Sequence, residues 1–121
     1  MARILIVDDS PTDARVVTAM LERHGHAVSV VTSAEDAISR AQAEPPELVL
    51  MDVVMPGMNG FQATRILSRD PATAHIPIII LTTKNLETDR VWGLRQGAKD
   101  FFSKPPKESD LISRIQALLG H

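Results

Sequence analysis

Ile4-Leu5-Ile6-Val7-Asp8-Asp9-Ser10-Pro11 opens with four consecutive apolar residues and then turns abruptly acidic. An unbroken apolar run fits a strand covered on both faces, as in a parallel sheet, and Pro11 suits the first turn of a helix that follows. The same signature returns at Leu48-Val49-Leu50-Met51, closed by Asp52, and at Ile78-Ile79-Ile80-Leu81, closed by Thr82 and Thr83. Ala27 to Val31, interrupted by Ser29, reads as an edge strand, and Phe101-Phe102, bounded by Asp100 and Lys104, as a fifth. A four-residue run alone could equally belong to a buried helix, so the segments between the runs decide.

Those segments carry a helical period. Val17, Met20, Leu21 and His24 fall at i, i+3, i+4 and i+7, and Gly25 follows as a stop. Ser33 is a good N-cap with Asp36 three residues on, ahead of the stripe Ala34, Ala37, Ile38 and Ala41, which Pro45-Pro46 ends. A helix after Asn59-Gly60 carries Phe61, Thr64 and Leu67 and stops before Asp70-Pro71. Another spans about Leu86 to Gln96, with Val91 and Leu94 forming its line and Trp92 off that line, half-exposed. The last carries Leu111, Ile115, Leu118 and Leu119 and ends at Gly120. Strand and helix thus alternate five times. The expected class is α/β: a five-stranded parallel sheet, doubly wound as a flavodoxin-like (βα)5 sandwich, strand order 2-1-3-4-5.

Composition narrows the chemistry. At 121 residues the chain fits a single domain, 1–121, with no room for an output domain. Thirteen Lys and Arg against fifteen Asp and Glu give a net charge of −2, which argues against nucleic acid as a partner. Cysteine is absent, which excludes disulfides, thiolate metal sites and a cysteine nucleophile. Ile4 to Val7 is too short for a signal peptide, and no apolar run nears the roughly 18 residues of a membrane span. One soluble cytoplasmic domain without membrane insertion is expected.

In such a fold, sites form beyond the carboxyl ends of the strands. Asp8 and Asp9 follow the first run, Asp52 the third, Thr82 and Thr83 the fourth, and Ser103 and Lys104 the fifth. Three carboxylates, hydroxyls and an ammonium therefore converge on one sheet edge. The carboxylates repel one another and call for a cation; oxygen ligands of this kind suit Mg²⁺, a hard ion that keeps waters and awaits phosphate oxygens. With Lys104 and a threonine hydroxyl beside them, the set describes phosphoryl transfer.

On Asp8-Asp9-Ser10, Met51-Asp52 with Met55-Pro56-Gly57, Leu81-Thr82 and Lys104-Pro105, the chain resembles the receiver (response-regulator) domains of two-component signalling. Gly60 to Arg65, Thr82-Thr83-Lys84, Trp92-Gly93 and Arg95 to Ala98 look like CheY-like stand-alone receivers of the PilH type, linked to twitching motility and type IV pili. The resemblance implies that Asp52 accepts a phosphoryl group from a histidine kinase, switching the binding of a downstream target protein. It implies that Asp9 and Asp52 ligate Mg²⁺ with the Val54 backbone carbonyl, while Asp8 acts mainly through metal-bound water. Thr82 would be the switch hydroxyl, Lys104 the phosphate-binding cation, Phe101 the switch aromatic, and Lys104-Pro105 a cis peptide. A partner face centred on Lys84, Arg90, Trp92 and Phe101 follows, in a monomer or weak homodimer that is not an enzyme.

Thr83 stands where the family usually has alanine or glycine, which narrows access for small phosphodonors. Val54, apolar, cannot orient a water, so a short phosphorylated lifetime is not expected. Several residues read as structural: Ser10 as a cap, Met51, Met55 and Met58 as packing, Gly57 and Gly60 as turn geometry. His24, His26, His75 and His121 lack metal-ligand spacing and read as solvated. The competing classes fare worse. A Mg²⁺-dependent phosphohydrolase needs an acid two residues after its nucleophile, where Val54 stands, and usually a cap domain. A flavin or nucleotide carrier lacks its glycine-rich loop, and a degenerate scaffold would not keep the acidic set.

Overall fold

The computed structural model describes residues 1–120; His121 lies outside them. The elements alternate as β1 (Arg3–Val7), α1 (Pro11–Arg23), β2 (Ala27–Val31), α2 (Ala34–Ala43), β3 (Leu48–Met51), α3 (Gly60–Arg69), β4 (Ile78–Thr82), α4 (Glu87–Gln96), β5 (Asp100–Ser103) and α5 (Glu108–Leu119). All strand pairs are parallel, in the order β2-β1-β3-β4-β5. The expected (βα)5 architecture is the observed one.

The unbroken apolar runs have a simple cause: alternate residues feed opposite faces, and both faces are covered. Ile4, Ile6, Leu48, Leu50, Ile79 and Leu81 pack with Val17 and Leu21 of α1 and Leu111 and Ile115 of α5. Leu5, Val7, Val49, Met51 and Ile78 face the other way, onto Ala34, Ala37 and Ala41 of α2 and Ala63 and Leu67 of α3. The three α2 alanines are fully buried. Each larger side chain forced in there would cost about 1–3 kcal/mol of overpacking. β2, at the edge, has no fully buried residue, as its mixed sequence led one to expect.

Register fixes where the strand ends meet. Val7 is level with Val31 on one side and Met51 on the other, and Thr82 is level with Ser103. The Asp52 amide continues the ladder by donating to the Val7 carbonyl at 2.9 Å, and the Asp8 amide donates to Val31 at 3.0 Å. The acidic residues thus leave adjacent strands at the same height.

Two expectations need correcting. On α4 the inward residues are Asp89, Gly93 and Gln96, while Val91 and Leu94 are exposed alongside Trp92. The reason is space: a Cβ at Gly93 would meet Ile80 Cδ1 at 2.7 Å and the rings of Phe61 and Phe101 beyond it, so the inner line admits no branched side chain. His26 is buried rather than solvated, because the turn at Gly25 directs its ring under β1, where Nδ1 accepts the Ala2 amide at 3.2 Å.

Candidate functional site

Local structure holds each acidic side chain in place. Asp8 Oδ1 accepts the Ser10 amide at 2.9 Å, closing a tight turn, and Ser10 Oγ accepts the Asp13 amide at 3.3 Å as the N-cap of α1. Asp52 Oδ1 accepts the Val53 amide at 2.8 Å. Asp8 and Asp52 are buried and Asp9 is exposed, yet each offers an oxygen within 4.8 Å of the other two. Three hard oxygen donors at that spacing, one of them open to solvent, fit a divalent cation that keeps part of its water shell.

Lys104 supplies the positive charge. Its amide donates to the Thr82 carbonyl at 2.9 Å, and its peptide bond to Pro105 is cis, as the resemblance to receiver domains implied. Its ammonium, almost fully buried, donates to Asp8 Oδ2 at 2.5 Å, Asp13 Oδ2 at 3.1 Å and Asp52 Oδ2 at 3.3 Å. Burial is the largest influence and works against its charge, but the hydrogen bonds it donates to Asp8 and Asp13, together with the charges of Asp52 and Asp8, hold its pKa above the ordinary lysine value. Burial pushes the Asp8 carboxyl above its usual range, with the Lys104 hydrogen bond opposing. Four carboxylates, Asp8, Asp9, Asp13 and Asp52, stand around one ammonium, which bonds to three of them. The site retains a negative excess that a cation would relieve.

Thr82 is fully buried at the end of β4, with Oγ1 accepting the Lys84 amide at 3.2 Å. Thr83 is exposed. The Lys84 ammonium pairs with Asp89 at 3.2 Å, and Asp89 Oδ2 also accepts the Leu86 amide at 3.2 Å. This explains a buried acid on α4. Val54 is exposed on the loop after Asp52. Lys84, Arg90 and Trp92 lie at the surface, and Phe101 is buried, packed with Val53, Phe61, Ile80 and Ala98 near Gly93 of α4.

Asp13 escaped the sequence reading. As a first-turn acid three residues after a serine cap it resembles any helix start, and only the angle at which α1 leaves the sheet brings it to Lys104. Glu35 was also missed; its Oε2 accepts the Met58 amide at 3.4 Å and borders Gly57, tying α2 to the loop after Asp52. Among the described residues no helix is long and apolar enough to cross a membrane.

Comparison with known proteins points one way. The profile of the response regulator receiver domain family matches residues 4–116. Protein PilH of Pseudomonas aeruginosa is 57% identical over 120 residues, covering 99% of each chain. The signal receiver domain of a histidine kinase from Syntrophus aciditrophicus superposes with a TM-score of 0.91 at 37% identity, covering 99% of this chain and 91% of its own. The receiver domain of a sensor histidine kinase from Pseudomonas aeruginosa, solved with a magnesium ion coordinated in its active-site cleft, gives 0.90 at 32% identity, covering 99% and 98%.

Proposed function

Because this chain belongs to the response regulator receiver domain family, we propose that it is a phospho-acceptor switch acting through Asp52. The observation that carries this reading is the buried Lys104 ammonium shared between Asp8 and Asp52, with Asp9 closing a three-carboxylate set. A histidine kinase supplies the phosphoryl group. An Asp52 carboxylate oxygen forms the new P–O bond as the P–N bond of the phosphoimidazole breaks, and the ring nitrogen keeps the bonding pair.

Each residue has a task in that transfer. Asp9 and Asp52, with the Val54 carbonyl, would hold Mg²⁺, and Asp8 would orient its water; the magnesium-bearing receiver of Pseudomonas aeruginosa supports this choice of ion. When bound, the ion neutralises charge on the carboxylates and on the transferring phosphoryl oxygens. Lys104 donates to a phosphoryl oxygen, and Thr82 turns its hydroxyl from the Lys84 amide toward another. The acyl phosphate adds about −1.5 to −2 charge beside β4, which favours one of two pre-existing arrangements. Phe101, under α4, is placed to report that shift to Lys84, Arg90 and Trp92, where a target protein docks.

The protein is a signalling switch of the cytoplasm, where kinases draw on ATP. Its output is control of type IV pili or a chemotaxis-like response, the processes linked to the PilH-type receivers it resembles. Fluoroberyllate, a phosphoryl mimic, tests the reading by NMR in Mg²⁺. Shifts should spread from Asp52 to Thr82, Phe101, Arg90 and Trp92. Shifts confined to Asp52 would rule out the coupling route.

A further inference from the structure

An ammonium has three N–H donors, and at Lys104 three carboxylates already engage them. Two of these, Asp8 and Asp52, are buried strand-end residues. The third, Asp13, comes from α1, and its side chain is 42% exposed. We infer that Asp13 acts through Lys104, occupying one of its donors at rest and competing for that lysine with any anion held at Asp52. This inference rests on the reading of Asp52 and Lys104 given above.

A tetrahedral anion on Asp52 needs a donor from Lys104, and a carboxylate must release one. Asp13 is the carboxylate that releases most readily, because water already reaches its oxygens. Asp8, buried beside Lys104, would be left without its cation if it let go. Asp13 is not needed to aim the lysine, since Asp8 at 2.5 Å and Asp52 at 3.3 Å hold it from the other sides. Removing the Asp13 charge therefore frees a donor and removes a like charge from beside the incoming anion. Anion capture should tighten.

The alternative is that Asp13 merely serves the N-terminus of its helix. The chain contains the control. Ser33 Oγ accepts the Asp36 amide at 3.1 Å at the start of α2, as Ser10 Oγ accepts that of Asp13 at 3.3 Å on α1. Among the described residues Asp36 makes no ion pair. If the helix end were the cause, the two positions would behave alike.

The test is a fluoroberyllate titration of the full chain in constant Mg²⁺, followed at the Val53 amide, with the Lys104 ammonium signal recorded before the probe is added. Asp13→Asn should lower the half-saturating concentration by roughly two- to fivefold, the scale of a partly exposed ion pair, and should move the Lys104 signal. Asp13→Glu should restore both, and Asp36→Asn should change neither. Binding by Asp13→Asn that equals or falls below that of the unaltered chain overturns the inference, as does an equal gain from Asp36→Asn. No binding to the unaltered chain at all would instead sink the phospho-acceptor reading, and this inference with it.

Discussion

Gly60 starts α3 directly against Asp52: its amide donates to the Val53 carbonyl at 3.0 Å, and a Cβ there would collide with the carbonyl oxygen of Asp52. The neighbour is backbone, so nothing flexible can yield. Gly60→Ala should cost about 2 kcal/mol or more by overpacking, shift the amides of Asp52 and Val53, and weaken fluoroberyllate binding. Gly25→Ala gives the contrast. Gly25 has φ +83° with nothing within 4 Å, so its cost should be about 1 kcal/mol of left-handed strain, with the site unchanged. Urea melts of both variants, with amide spectra, check the pair.

Lys104→Ala leaves Asp8 and Asp52 buried together without their cation. Truncating one partner of a buried charge cluster costs about 3 kcal/mol, and that loss should appear in full when divalent ions are chelated. Millimolar Mg²⁺ should recover part of it, because the ion binds the folded carboxylates and not the unfolded chain. Equal losses with and without Mg²⁺ would show that the lysine serves packing rather than charge balance.

Acid should loosen the clasp between α1 and α5. Hydrogen bonds from Arg23 at 2.5 Å, and next from His24 at 3.0 Å, hold the Glu108 carboxyl below its usual value. A carboxyl depressed in the folded state contributes stability that is present above the unfolded value, near 4.5, and is lost as pH falls through the folded one. Stability of the unaltered chain should therefore fall toward that of Glu108→Gln below about pH 4.5. A constant gap between the two melting curves across that range would contradict the assignment.

Thr82 tests the route to the surface. Thr82→Ala should leave fluoroberyllate binding largely intact while removing the response of Trp92 fluorescence, since the hydroxyl that links anion to α4 is gone. An undiminished Trp92 response would place the coupling elsewhere.

The strand runs, the caps at Ser10 and Ser33 and the meeting of Asp8, Asp9, Asp52 and Lys104 were legible because each rests on a local rule. Period and register then carry Asp8, Asp52 and Lys104 to one edge. Helix α4 was not legible on its inner face. Its apolar residues Val91 and Leu94 point outward, while Gly93 is admitted for want of space and Asp89 and Gln96 are kept by Lys84 and Arg65. Such partners lie elsewhere in the chain, and hydrophobic period cannot see them. Asp13 failed for a related reason: its cap position is local, but its pairing across 91 residues to Lys104 is tertiary.

The central claim is that Asp52 is the residue that becomes phosphorylated. The most direct test is mass mapping of the phosphoryl group after incubation with a phosphorylated histidine kinase and Mg²⁺, in the unaltered chain and in Asp52→Asn. The account predicts one phosphoryl group on the peptide bearing Asp52, none in the variant, and a variant that folds like its parent, because the amide is nearly isosteric. A phosphoryl group retained by Asp52→Asn, or mapped to any other residue, would contradict it.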